Sequence, residues 1–340
     1  MTDVAPSAPA RPADLAALAE YSAKIGADPL LIQAAGGNSS VKSGDVMWIK
    51  ASGTVLADAM RRDIFVPCDL PKMRAALAAQ SAIADQPQEF LLQEGGLRPS
   101  IETSLHAVFP QPVVVHVHCV HTLCMAIQAD PLAAIGTALD HFSWGYVPYA
   151  KPGANLAAQV AGLVGSGEVD VIVLGNHGLI VAAETVGEVA SLLAAVHEAL
   201  RPKQAPLTGP TEMPDLPKGW QPAPDSLIRL GKSAELTAMA SAGSLYPDHV
   251  IFCGVAIRAV PSVADLPDPT DPDTPPAILI QGQGAALRAD ASAGARALAQ
   301  CLGDVLGRTA PDARLHYLSA AQNMELLDWD AEKYRQALNA

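Results

Sequence analysis

The ten residues VVVHVHCVHT, positions 113–122, do most to narrow what this chain can fold into. So apolar a run reads as a buried strand, yet it carries imidazoles at His116 and His118. Successive side chains of a strand point to opposite faces, so positions two apart share a face. His116 and His118 therefore point the same way, while Val115 and Val117 turn the other way into packing. Two neutral imidazoles side by side on a rigid element begin a metal site, because zinc takes nitrogen ligands at fixed short range. A pair of core histidines, each satisfied by a backbone carbonyl, is the alternative reading of the same residues.

Around this strand the chain mixes both element types. A helical pattern over Ala13 to Gly26 precedes two short strands around the Gly-rich turns of LLIQAAGGNSSVKSGDVMWIKASG. The stretch from Ile64 to Ala84 begins extended and becomes helical, and residues 101–127 read as helix, His-bearing strand, then a helix from about Thr122. VDVIVLGNHGLIVAAET (169–185) reads as two strands joined at GNHG, followed by an Ala/Leu-rich helix to about Leu200. Mixed strands and helices with tight turns predict a layered α/β fold.

Residues 201–226 carry seven prolines and read as an extended linker. Beyond it the pattern gives a helix over 226–242, a strand from His249 to Val260, a Pro/Asp-rich loop at 261–276, a strand from Ala277 to Gln281 and a helix from about Ser292. The expected organisation is a disordered N-terminus (1–12), a main domain (13–200), the linker (201–226) and a smaller C-terminal α/β lobe (227–340). GQGAAL (282–287) hints at a nucleotide-binding turn but lacks a third glycine and a suitably placed acidic residue, so it reads as an ordinary strand-to-helix turn.

The 340 residues carry a formal net charge of −13, which argues against nucleic acid or an anionic membrane surface as a partner. Five scattered cysteines without a C-x-x-C pair fit reduced thiols rather than a disulfide framework. MTDVAPSAPARP lacks the apolar core of a signal peptide, and no run approaches 18 apolar residues, so a cytoplasmic protein is expected.

Four of nine histidines, His106, His116, His118 and His121, fall within sixteen residues. His121 lies three positions past His118, so parity turns it away from the pair and it is left out of the ligand set. His177 sits in GNHG at the end of a buried-looking strand, where it either reaches sideways to a neighbouring strand or bonds its own loop. Three imidazoles with one open position describe a catalytic rather than a structural zinc site. In RPSIETSLH (98–106), Ser100 is an N-cap candidate and Glu102 falls in the first helical turn, where negative charge is favoured. The functional alternative is a general acid/base held near the metal. GGNSSVK (36–42) offers Asn38, Ser39 and Ser40 as donors and Lys42 as a charge, and KASGT (50–54) adds Ser52 and Gly53. Such turns cradle phosphate through backbone N–H groups and hydroxyls, though each is also what a hairpin turn looks like.

GGNSSVK, KASGT, PSIETSLH, VVHVHCVHT and GNHGLIV occur in the order and spacing of the class II aldolase/adducin superfamily, which this chain resembles over residues 20–200. The wording is similar to its fuculose-phosphate aldolases and to the aldolase half of its rhamnulose-phosphate aldolase/dehydrogenase fusions, and YPDHVIF and ELLDWDAEKYRQAL extend a looser likeness to the fusions. The resemblance implies an α/β/α sandwich around a mixed sheet, commonly assembled as a homo-tetramer. It implies His116, His118 and His177 as ligands to Zn2+ (or Mn2+, Co2+ or Ni2+), Glu102 as acid/base, and Asn38, Ser52, Gly53 and Ser100, with Ser39 beside them, around a substrate phosphate. The implied reaction is reversible retro-aldol cleavage of a small ketose phosphate through a metal-stabilised enediolate. A ribulose-phosphate 4-epimerase-like enzyme and an adducin-like interaction module are the alternatives within the superfamily. The latter has lost the metal histidines that this chain keeps.

The chain departs from the family pattern in three places. Its turn reads Lys50-Ala51-Ser52-Gly53 where the family has a TPSG-like sequence. The family's assisting tyrosine has no clear counterpart, Tyr149 lying in a matching segment but not in that position. The C-terminal lobe replaces a short tail, with Asp248 and His249 either standing in for it or beginning a strand.

Overall fold

The computed structural model describes residues 9–93, 96–165 and 169–328. Most of the expected disordered N-terminus and the end of ELLDWDAEKYRQAL lie outside the described residues. Seven strands come from the first 200 positions: β1 (Asn38–Ser43), β2 (Val46–Lys50), β3 (Phe65–Asp69), β4 (Val113–Val117), β5 (Trp144–Val147), β6 (Val171–Leu174) and β7 (Gly178–Ala183). They form one sheet in the order β3–β2–β1–β4–β7–β6–β5, antiparallel throughout except for the β5–β6 pair. The helices of this part are α1 (Asp14–Gly26), α2 (Leu70–Ala78), α3 (Thr103–Ala107), α4 (Val120–Ala126), α5 (Leu132–Ala138), α6 (Ala154–Val164) and α7 (Val186–Ala199).

The pleat of β4 decides the layering. Val113, Val115 and Val117 pack with Leu15 and Leu18 of α1 and Leu193 of α7 on one face. Val114 turns to the other, against Leu105 of α3 and Leu156 and Val160 of α6. Burying a valine is worth roughly 1.5–3 kcal/mol, and with helices on both faces β4 buries every side chain it has. The α7 start is set by a capping box in which Thr185 and Glu188 satisfy each other's backbone N–H groups. The result is an α/β/α sandwich around a central mixed sheet.

The remaining elements are β8 (Trp220–Pro222), β9 (Arg258–Val260), β10 (Ala277–Ile280), β11 (Gly284–Arg288), α8 (Asp225–Gly231), α9 (Ala234–Ser241), α10 (Pro247–Cys253), α11 (Ala293–Leu306) and α12 (Ala320–Leu327). The four strands form a second sheet, β8–β11–β10–β9. Its core is shared with α4, since Leu123, Cys124 and Ile127 pack with Leu298, Leu302 and Val250. Among the described residues no helix is long and apolar enough to cross a membrane. The five cysteines are all free and buried.

Three readings of this region are corrected. The expected strand from His249 to Val260 is a helix up to Cys253, and only Arg258–Val260 is extended. Pro247 pre-sets the first helical turn and Gly254, at φ 91°, ends it. Every side chain from Pro247 to Cys253 is buried, so no apolar periodicity marks the helix. The 226–242 helix is two helices, because the Ser233 side chain caps a new start at Leu236 N–H. GQGAAL forms the turn of a β10–β11 hairpin rather than leading into a helix, with Gly282 and Gly284 at positive φ. The proline-rich stretch contains β8 and is docked. Arg229 Nε donates to Gly209 O and Lys232 Nζ to Glu212 O. Missing from the sequence reading altogether are α5, β5, α6 and α12.

Candidate metal centre

β1 and β7 run antiparallel to β4, so the start of β1, the end of β4 and the β6–β7 turn meet at one end of the sheet. Asn38 pairs with His116 and Leu179 with Val117. The end of β2 arrives there too, and the loop before α3 is stitched to it by an Ala51–Pro99 bridge, Ser52 N–H to Arg98 O at 2.8 Å and Ser100 N–H to Lys50 O at 3.2 Å. That stitching carries Glu102 over the histidines.

His116, His118, His177 and Glu102 converge, with one potential ligand atom from each lying within 4.8 Å of the others. His116 Nε2 and His118 Nε2 are 3.1 Å apart, and Glu102 Oε1 is 3.5 Å from His116 Nε2 and 3.3 Å from His177 Nε2. All four residues are at most 7% exposed. His116 Nδ1 lies 3.1 Å from Leu179 O, a group that only accepts, so this nitrogen carries the proton. His118 Nδ1 lies 2.7 Å from the Asp248 carboxylate and donates to it. With Nδ1 engaged on the far side of each ring, the two Nε2 atoms face one point. Glu102 Oε1 accepts no hydrogen bond, and His177 Nδ1 has no partner among the described residues. Burial holds His116 well below the usual histidine range, with His118 adding to the effect. Burial likewise lowers His177 to about 3, against the opposing pull of Glu102. Converging imidazole nitrogens and an orphaned carboxylate oxygen are the donor set that a divalent cation satisfies.

The sequence reading sets Glu102 apart from the ligands as an acid/base, whereas the structure brings its Oε1 among them. It also corrects the helix start. Ser100 is not the N-cap. Glu102 occupies that position at φ −100°, and its side chain caps nothing. Ser100 Oγ instead accepts from Glu102 N–H at 3.2 Å, and Glu102 Oε2 accepts from Asn38 Nδ2 at 2.6 Å. In GNHG it is Asn176, at φ 53°, that takes the left-handed conformation. Gly178 is needed for close approach, since a Cβ there would lie 2.4 Å from Val117 O. The Asn176 side chain donates to Leu245 O and His316 O, tying this turn to the C-terminal elements.

The proposed cradle residues divide. Asn38, Ser52, Gly53, Ser100, Glu102 and His118 all line one cavity of about 20 Å³, room for a single water. Ser52 also lines an adjoining cavity of about 830 Å³, with Arg98, Ile101, Lys151 and residues of α12. Ser39 faces the other way, its Oγ 2.7 Å from that of Ser22 on α1, because it alternates with Asn38 along β1. Lys42 is at the far end of the strand, donating to Gln111 O, and burial lowers its pKa to about 7. His106 lies outside the cluster against Ser40 Oγ, and His121 stacks on His197 with ring centroids 4.0 Å apart.

Two residues of the site carried little signal in the sequence. Lys50, 2% exposed, lines the small cavity and donates to Ala35 O and Gly37 O, bracing the loop over the centre. A lysine closing the apolar strand VMWIK was the available clue. The sequence reading has Asp248 only as a stand-in for the family's short tail or as the start of a strand, not as a partner of His118.

Comparison with known proteins identifies the family. Residues 16–202 match the family described as Class II Aldolase and Adducin N-terminal domain. An uncharacterized oxidoreductase of Bacillus subtilis (strain 168), YuxG, is 29% identical over 177 residues, 47% of this chain but a quarter of the length of that protein. Among solved structures, the N-terminal class II aldolase domain of a conserved protein from Thermoplasma acidophilum is 26% identical. It superposes with a TM-score of 0.50 over 59% of this chain and 97% of that one. An L-fuculose 1-phosphate aldolase is 20% identical, with a TM-score of 0.41 over 56% and 84%. With the match spanning 16–202 and the histidine and glutamate motifs converging within it, the chain belongs to the class II aldolase and adducin family.

Proposed function

We propose that this protein is a zinc-dependent aldolase that reversibly cleaves a small ketose phosphate of the fuculose- or rhamnulose-phosphate type. The observation that carries the reading is the convergence of three imidazoles and a carboxylate oxygen without a hydrogen bond at a buried point lined by Ser52, Gly53 and Ser100. An interaction module has no use for that convergence. His116, His118 and His177 would hold the ion, and neutral nitrogen donors also suit Mn2+, Co2+ or Ni2+. A divalent ion there supplies Lewis-acid polarisation of the substrate carbonyl and neutralises negative charge as it develops.

The protein's own residues do the rest. Glu102, steadied through Oε2 by Asn38, moves the proton at the carbon that becomes nucleophilic. The small cavity holds no more than water, so substrate enters from the larger one, and Ser52, lining both, meets its phosphate at the junction. Arg98 and Lys151 line the same approach, and the buried Lys50 adds positive charge behind it.

Incubating the metal-loaded protein with a panel of ketose 1-phosphates is expected to yield two smaller products, one of them a ketone phosphate, resolved by NMR. An isomer of unchanged size would replace the aldolase with an epimerase. No turnover across the panel with metal bound would remove sugar phosphates as substrates. Ser52→Ala should raise KM about 10- to 100-fold, since a hydrogen bond to a charged group is worth about 1.5–3 kcal/mol, with kcat less affected. An unphosphorylated ketose turned over as well as its phosphate, and indifferent to Ser52→Ala, would contradict the cradle.

A further inference from the structure

We propose that Asp248 is the positioning residue that orients His118 toward the ion, so that the C-terminal half of the chain completes the metal centre. The inference rests on the metal reading above. His116 is held within β4 by strand pairing on both sides. His118 lies one residue beyond the end of that strand, where no ladder fixes its ring. Its Nδ1–H is held instead by Asp248 Oδ2 at 2.7 Å, with both side chains buried.

The pair has little freedom to move. A Cβ on Gly36 would come within 2.9 Å of both Asp248 Oδ2 and His118 Nδ1, so the chain at this glycine lies flat against the bond between them. Asp248 is itself fixed by α10, whose Val250, Ile251 and Cys253 are embedded in the core shared with α4 and α11. Just upstream, Leu245 O accepts from Asn176, the neighbour of His177. Two of the three candidate ligands are therefore placed by contacts to one short C-terminal segment, residues 245–248.

The three rings are supported differently. His116 donates to a carbonyl, His177 Nδ1 has no partner among the described residues, and His118 donates to a carboxylate. A carboxylate behind an imidazole fixes the tautomer with a bare Nε2 and raises the basicity of that nitrogen. Loss of such a partner commonly costs 10- to 100-fold in metal affinity.

The test measures Zn2+ affinity by competition with a chromophoric chelator in the full-length wild type, Asp248→Asn, His118→Ala and the double variant. Asp248→Asn should weaken binding about 10- to 100-fold in the wild-type background and add nothing once His118 is gone. Non-additivity of this kind identifies a residue that acts through its partner. Thermal unfolding of the metal-free proteins checks that each is folded, and Asp248→Ser, read identically, takes over if the Asn variant is not. Unchanged affinity in Asp248→Asn, or an equal further loss in the His118→Ala background, overturns the proposal. A wild type that binds no Zn2+ overturns the metal reading itself, a distinct outcome.

Discussion

A His116→Ala/His118→Ala double variant is expected to purify with essentially no divalent ion, against about one per chain for the wild type. The two Nε2 atoms lie 3.1 Å apart, with both Nδ1 atoms engaged on the far sides of their rings. Removing them leaves His177 and Glu102, too few donors for a zinc site. Elemental analysis gives the stoichiometry, and thermal unfolding with and without Zn2+ gives an independent reading. A ligand at a thousand times its dissociation constant stabilises the folded state by about 4 kcal/mol. The wild type should show a metal-dependent rise in Tm and the double variant none. The substitutions leave Val113, Val115 and Val117 and their packing intact, so the sheet should survive. Full metal occupancy in the double variant would place the ion elsewhere and remove the basis of the proposed chemistry.

How much of this was legible in the sequence varies with the range of the interaction. The β4 histidines were readable because strand parity is local, and five ordered motifs brought in His177 and Glu102 from outside the strand. The same parity, applied to β1, would have turned Ser39 away from the site, where its bond to Ser22 puts it. The helix-start alternative for Glu102 fails for a different reason. Its residue type suits a helix start, but the loop stitched to β2 turns the carboxylate inward, and only tertiary contacts encode that. The α10 helix was read as a strand because a segment buried on every side shows neither period. That misreading also left Asp248 with no link to His118, as a stand-in for a family tail or the lead into a strand. On a strand it is one more edge residue, whereas at the start of a buried helix it meets a ring 130 positions away. Contacts of such separation are specified by packing, and no pattern within a window of ten or twenty residues displays them.

Glu102→Gln separates chemistry from scaffold most sharply. A helix-start role for this carboxylate is worth about 0.3–1 kcal/mol of stability and nothing in rate, and here the side chain makes no cap at all. Its oxygens are engaged elsewhere, Oε2 with Asn38 Nδ2 at 2.6 Å and Oε1 facing the imidazoles of His116 and His177. Glutamine cannot reproduce both contacts. With its amide nitrogen toward Asn38, two donors oppose each other. With the nitrogen toward the rings, it donates to the lone pairs that an ion would take. The variant should therefore bind metal more weakly and must be assayed at saturating Zn2+, with occupancy measured on the same sample. Under those conditions turnover should fall by about 10²–10⁴, the usual worth of a positioned acid/base. Exchange of the ketone product's α-proton with deuterated solvent should slow in parallel, because the same oxygen serves both steps. Retained turnover and exchange with metal in place would make Glu102 a ligand and nothing more, and the proton would then need another carrier. Loss of turnover with exchange intact would instead locate the defect at carbon–carbon cleavage, the step that generates the carbanion before it is protonated.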